Sequence, residues 1–270
     1  MIQKNTGKLS FFLSSVKNVY SIFLFMGRRA KKTKIFFLLS FLPVVIAFII
    51  KFNQIFSGRG NVRGIYIFSN LIIVFYLQFL ILILALFFGT SVGSEEIEGQ
   101  TLTYLTTRPI PKSAIILGKY SAYTTLVIIM MAVGVLLSFF ILNLNNLGRF
   151  SLYKILVRDV VVLALGIICY TAFFTFIGTF LKKSILVGLV FSFGWENVIQ
   201  YFPGSTQRFS IVHYLKSLLP VPRTGRFSFL MFRLEPSPDG LAIFMLFLIT
   251  AIFLSLACFL FSYKEYILED

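Results

Sequence analysis

The chain has 270 residues and a mass of 30.8 kDa, enough for one or two domains. Apolar residues make up 58% of it and charged residues only 13%, about half the charged share of soluble proteins. No soluble domain of this size can hide so much apolar side chain, so a water-soluble enzyme and intrinsic disorder are both excluded.

The chain must be solvated largely by lipid. Its formal net charge is +15, and the basic residues flank long apolar runs. There they meet anionic lipid head groups and fix orientation, so nucleic acid is not an expected partner.

In chain order, the first element predicted is an N-terminal interfacial helix over residues 9–31. Its stretch 9–27 is apolar, but Ser14, Ser15, Lys17, Asn18 and Ser21 crowd the middle. That pattern suits a helix lying in the membrane interface rather than across it. Five of the seven residues 28–34 are basic, which marks the N-terminus as cytoplasmic.

Six membrane spans are then expected, at about 35–50, 66–90, 114–142, 160–181, 184–202 and 241–263. A bilayer core of about 30 Å needs about 20 apolar residues in a helix. The runs are continuous rather than alternating, which favours helices over a barrel. The fold class is therefore all-α, a polytopic membrane protein with 1–270 forming a single transmembrane domain. Pro43 is expected to kink the first span. Six spans place the C-terminus in the cytoplasm as well.

Cys169 and Cys258 lie inside apolar runs and read as small core or lipid-facing residues. His213 is the only histidine and cannot form a metal site alone.

The most informative stretch, GSEEIEGQTLTYLTTRPIPKSAIILGKY over 93–120, connects spans 2 and 3. Glu95, Glu96 and Glu98 are expected at the N-terminal end of a short helix, where carboxylates offset the dipole. Ile97, Thr101 and Tyr104 recur at helical spacing. Pro109 and Pro111 end that helix, and Ser113 is placed to cap span 3. Two readings of the stretch stand: a rigid rod that transmits force from a cytoplasmic protein, or a solvated connector.

Glu196 is the one carboxylate well inside a span, beside Trp195. A charge there is costly and must face protein or water. It serves either as a ligand or gate group at the outer mouth, or as an ion pair with Arg158. Between spans 5 and 6, Ile211, Val212, Leu215, Leu218 and Leu219 share one helical face. Ser210, His213, Lys216 and Ser217 share the other. This is the pattern of an outer interfacial helix, with His213 at the surface. The bases Arg208, Lys216, Arg223, Arg226 and Arg233 nearby suit anionic head groups or an acidic outer (periplasmic) partner.

The 93–120 stretch resembles the signature of the permease subunits of type-2 ATP-binding-cassette (ABC) exporters. That signature has an acidic cluster, a Thr-Leu pair, a leucine turn, an Arg-Pro step and a Gly-Lys pair. Here these are Glu95, Glu96 and Glu98; Thr101 and Leu102; Leu105; Arg108 and Pro109; and Gly118 with Lys119. Gln100 stands where glycine often precedes the threonine, with Gly99 one place earlier.

The resemblance implies a coupling helix over 94–109 that docks on a separate ATPase subunit, with Glu95, Glu96, Glu98, Gly99, Thr101, Leu102, Leu105, Arg108 and Pro109 as the docking residues. It implies two ATPase subunits per complex, a second permease subunit (the same or homologous) and a pathway between the permeases. It also implies a bacterial cytoplasmic (inner) membrane. No G-x-x-x-x-G-K-[ST] motif occurs in the sequence, so ATP and Mg belong to the partner, and this chain is expected to hold no cofactor or metal and to have no enzymatic activity of its own. The alternatives are a polytopic enzyme acting on lipid-linked substrates and a mechanotransmitting ABC subunit without small-molecule cargo. A stand-alone channel or carrier is disfavoured by the uncharged spans 2 and 6.

Overall fold

The computed structural model describes residues 2–56, 64–98, 111–146, 148–199, 202, 205–219 and 236–263. Among these residues every regular element is helical and there is no strand. The chain runs through α1 (Ile2–Arg29), α2 (Lys31–Ser40), α3 (Leu42–Phe56) and α4 (Gly64–Leu71). A π-helical segment, Ile72–Leu80, leads without a break into α5 (Ile81–Glu98). There follow α6 (Lys112–Asn143), α7 (Phe150–Phe180), α8 (Ser184–Val190), a π-helical turn (Phe191–Trp195) and the short α9 (Glu196–Val198). A 3₁₀ turn (Ser205–Phe209), α10 (Ile211–Leu218) and α11 (Asp239–Tyr263) complete the described elements.

Among the described residues, five helical stretches are long and apolar enough to cross a membrane: Lys31–Phe56, Gly64–Ser94, Lys112–Asn146, Phe150–Phe180 and Asp239–Tyr263. The fifth span of the sequence reading corresponds to the shorter helix Ser184–Val198. At 1.5 Å per residue its 15 residues reach about 22 Å, less than the bilayer core.

The span expected at 160–181 begins ten residues earlier, at Phe150. Its first turns carry Lys154 and Arg158, which hydropathy assigns to a loop. A helix carries such residues without breaking, because its backbone is satisfied internally whether or not it has left the lipid.

Several hydroxyl side chains inside the bundle follow the same rule. Thr90 donates to the Leu86 carbonyl at 2.6 Å, Thr175 to Thr171 at 2.7 Å and Thr250 to Leu246 at 2.7 Å. Each hydroxyl bonds back to the preceding turn, so it needs no water.

Helices α5 and α7 run parallel at the centre of the bundle. They touch through Gly89, Gly93 and Gly178. A Cβ on Gly93 would lie 2.7 Å from the Gly178 carbonyl carbon, and one on Gly178 would lie 2.5 Å from the Thr90 carbonyl oxygen. Gly89 and Gly93 stand four residues apart on one face, the small-residue spacing that lets membrane helices approach backbone to backbone.

The N-terminal helix packs lengthwise along the first half of α6. Val19 covers Gly118, Gly27 faces Leu126 and Tyr123, and the Phe23 ring stands edge-on to Tyr123 at 6.4 Å. The opposite face of α1 leaves Phe11, Leu13, Ile22, Phe25 and Met26 exposed. The chain breaks at Phe41, whose N–H returns to Leu38, two residues before Pro43. The kink attributed to Pro43 thus falls just before it, so the ring sits where its missing donor costs little.

Candidate coupling site and far-end cap

The connection between α5 and α6 marks one end of the bundle, the elbow end. Glu95, Glu96 and Glu98 do not begin a separate short helix. They form the last turn of α5, continuous with the span. This corrects the sequence reading: residues 95, 96 and 98 continue the helix of the span rather than opening a separate one. Gly99, Thr101, Leu102, Leu105, Arg108 and Pro109 lie outside the described residues. Helix α6 starts directly after Pro111, whose ψ of 129° makes it the N-cap, and the Ala114 N–H returns to the Pro111 carbonyl at 2.9 Å. Ser113, expected as the cap, is already inside the first turn.

Two lysines bind the N-terminal helices to this end. The Lys32 ammonium donates to Ser91 Oγ at 3.1 Å and lies 4.9 Å from the Tyr123 ring centre. Lys119, half of the Gly-Lys pair, is 1% exposed and lies 4.7 Å over the Phe23 ring. Cation–π contacts of this kind strengthen where water is excluded. The turn that carries the acids is therefore fastened to α7 by the glycine seam and to α2 by Lys32.

The other end is organised around α10. All eight of its residues are buried, His213 and Lys216 included. This overturns the expectation of an interfacial helix with a solvated polar face and a surface His213. The polar face meets protein instead, with His213 Nδ1 alone left without a hydrogen bond among the side-chain polar atoms of Ser210, His213 and Ser217. Ser217 Oγ donates to the His213 carbonyl at 2.9 Å and accepts from the Ser237 N–H at 3.2 Å, while His213 Nε2 meets Ser237 Oγ at 3.0 Å. On the apolar face, Leu215 packs into the space left by Gly166 and touches that position beside Ile81. Amphipathic periodicity could not distinguish a helix half in water from one whose polar half is met by protein.

Glu196 and Arg158, expected as a pair, bracket this helix. The Glu196 side chain is 0% exposed. Its carboxylate accepts from Ser210 Oγ at 2.5 Å, from the Ile211 N–H at 3.1 Å and from the Val212 N–H at 3.4 Å. At the opposite end, Arg158 Nε donates to the Leu218 carbonyl at 2.6 Å, and its Nη2 reaches Asp239 at 3.4 Å. A carboxylate sits on the positive end of α10 and a guanidinium on the negative end, the arrangement the helix dipole favours at both. The ion-pair reading is therefore corrected: each charge is met by unsatisfied backbone groups, not by the other charge. Trp195, next to Glu196, is 52% exposed.

Depth follows from α7. The N-terminal turn of α10 lies beside Tyr170, its middle beside Gly166, and its end beside Arg158. Twelve residues of α7 separate Tyr170 from Arg158, about 18 Å along the axis. The short helix thus dips far into the bundle from the end opposite the elbow. Among the described residues, no group of His, Cys, Asp or Glu side chains is placed to hold a metal.

A family profile described as ABC-2 family transporter protein matches residues 9–266. No curated protein matches the chain at a significant level. The membrane proteins of that family are transport permeases, not themselves catalytic, and work with an ATPase partner. With nearly its whole length inside the profile, this all-helical, multi-pass membrane chain belongs to the ABC-2 transporter family and is the permease subunit of an ABC transporter.

Proposed function

We propose that this chain forms the translocation pathway of an ATP-driven exporter as one of two permease subunits, identical or homologous, each served by an ATPase subunit that holds ATP and Mg. The membrane is the bacterial cytoplasmic one, and both termini face the cytoplasm. The short helix Ser184–Val198 then makes the fifth of six crossings, entering from the elbow side. Residues 1–270 act as one transmembrane domain, with α1 at the cytoplasmic interface and α10 near the outer side.

Coupling runs through the elbow at 94–109. The observation that carries this is the placement of Glu95, Glu96 and Glu98 on the last turn of α5. Three acidic residues so close in sequence suit a cationic partner. A basic groove on an ATPase supplies one, with Arg108 and Pro109 as the docking residues later in the same stretch of sequence. Because α5 is seamed to α7 at Gly93 and Gly178, a push on the elbow moves both helices together.

Co-expression with an ATPase subunit and co-purification in mild detergent test this. Changing Glu95, Glu96 and Glu98 together to alanine is expected to lose the ATPase while leaving the permease in the membrane. Intact association and coupled ATP hydrolysis in that variant would overturn the elbow as the docking site.

A further inference from the structure

We propose that Glu196 is a releasable latch. In the resting transporter it holds the α10 cap helix inside the bundle, and each transport cycle breaks this hold to open the outer half. The inference rests on the permease reading above and names the positioning residue of its outer gate.

Three features of the site support release rather than a permanent tie. First, three hydrogen bonds at the N-terminal end of α10 converge on one side chain. The Ser210 hydroxyl and two backbone N–H groups share the Glu196 carboxylate. Removing that carboxylate strands buried donors, so the attachment is all-or-none. Secondly, another donor stands beside it. The fully buried Tyr170 hydroxyl of α7 neighbours the same carboxylate. A carboxylate that leaves α10 therefore keeps a buried partner on α7 to hold it. Held by α10 or by Tyr170 alone, it has two discrete arrangements, as a switch requires.

Thirdly, Glu196 follows the π-helical turn Phe191–Trp195. Asn197 Nδ2 donates to the Ser192 carbonyl, five residues back, at 3.0 Å, and the Ser192 hydroxyl bonds to Gly188. A π turn holds one residue more than an α turn, and such turns recur at functional sites. Tightening it to α geometry would carry Glu196 about 100° around the helix axis, off the end of α10. The force reaches this turn from the elbow. Gly188, one turn before the π segment, is pressed against Leu86 of α5 and Phe174 of α7. Those are the two helices joined at the glycine seam.

The test uses the full transporter, co-expressed with its ATPase, in inverted and right-side-out vesicles. Cys169 and Cys258 are first replaced. Leu215→Cys then reports cap position through its rate of labelling by a membrane-impermeant maleimide from outside. Labelling is expected to be slow at rest and faster during ATP turnover. Glu196→Ala should raise the resting rate roughly tenfold or more, because each bond to the charged carboxylate biases the equilibrium by about that factor. Glu196→Gln, which keeps one acceptor oxygen, should fall between.

Unchanged resting labelling in Glu196→Ala overturns the latch. So does a wild-type rate that ATP does not alter, since the cap would then be static. Should Glu196→Ala not accumulate, Ser210→Ala removes one bond and leaves the carboxylate. An increase there supports the latch and a wild-type rate overturns it. ATPase co-purification, recorded in parallel, separates the two failures. Its absence in the wild type defeats the permease reading, and its presence with unmoved labelling defeats only the latch.

Discussion

Gly178 of α7 lies so close to Thr90 of α5 that a methyl group added to it would sit 2.5 Å from the Thr90 carbonyl oxygen. Backbone meets backbone there, with no flexible side chain to yield. Gly178→Ala should therefore destabilise the protein by roughly 1–3 kcal/mol, the usual cost of overpacking. Thermal unfolding in detergent would show it as a lower midpoint. Gly148→Ala is the control, since nothing lies within 4 Å of its added carbon.

Arg158 and Asp239 share an ion pair, but they should not be equivalent. The pair is solvent-exposed on both sides, and Asp239→Ala should cost less than about 0.5 kcal/mol. Arg158→Ala also removes the donor to the Leu218 carbonyl at the end of α10. Its cost should be about 1–2 kcal/mol. Melting curves of the two single variants and the double variant would separate these contributions.

Lys32 is fixed by Ser91 and by the Tyr123 ring, joining α2 to α5 and α6. Lys32→Met keeps the apolar stem and loses both contacts. It should weaken the attachment by about 1–2 kcal/mol. Limited proteolysis should then cut between α1 and α2, near Ala30, faster than in the wild type, with the remaining helices unaffected.

Tyr76 and Ser138 form a buried hydrogen bond of 2.9 Å between the π-helical segment of span 2 and α6. Tyr76→Phe keeps the ring and removes the hydroxyl. Hydrogen bonds between membrane helices average about 0.6 kcal/mol and reach about 1.7. A loss in that range is expected in equilibrium unfolding, and Ser138→Ala should give a similar value without adding to it.

Much of the architecture was legible before any coordinates, but not evenly. Spans 2, 3 and 6 were readable because a long uncharged run has one stable solution in lipid. The start of span 4 was not, because Lys154 and Arg158 look like loop residues to hydropathy although helix geometry accepts them. The acids at 95–98 were assigned to a separate helix, whereas they continue the helix of span 2. Nothing in their own sequence distinguishes the continuation of one helix from the opening of the next. For Glu196 and Arg158, sequence supplied the right residues and the wrong partners. A charge inside lipid demands compensation, yet opposite charge is not the only source of it.

Composition and periodicity alone determined that this is a helical bundle dissolved in lipid, and the local motif over 93–120 determined its family. Both follow from chemistry carried by neighbouring residues. Tertiary structure decided what meets the buried polar groups. Glu196 is capped by residues up to 16 positions later, and Leu218 is held by a guanidinium 60 residues earlier. Whether a polar helix rests on a surface or sinks into a bundle depends on donors and acceptors brought from such distances, and no local pattern encodes them.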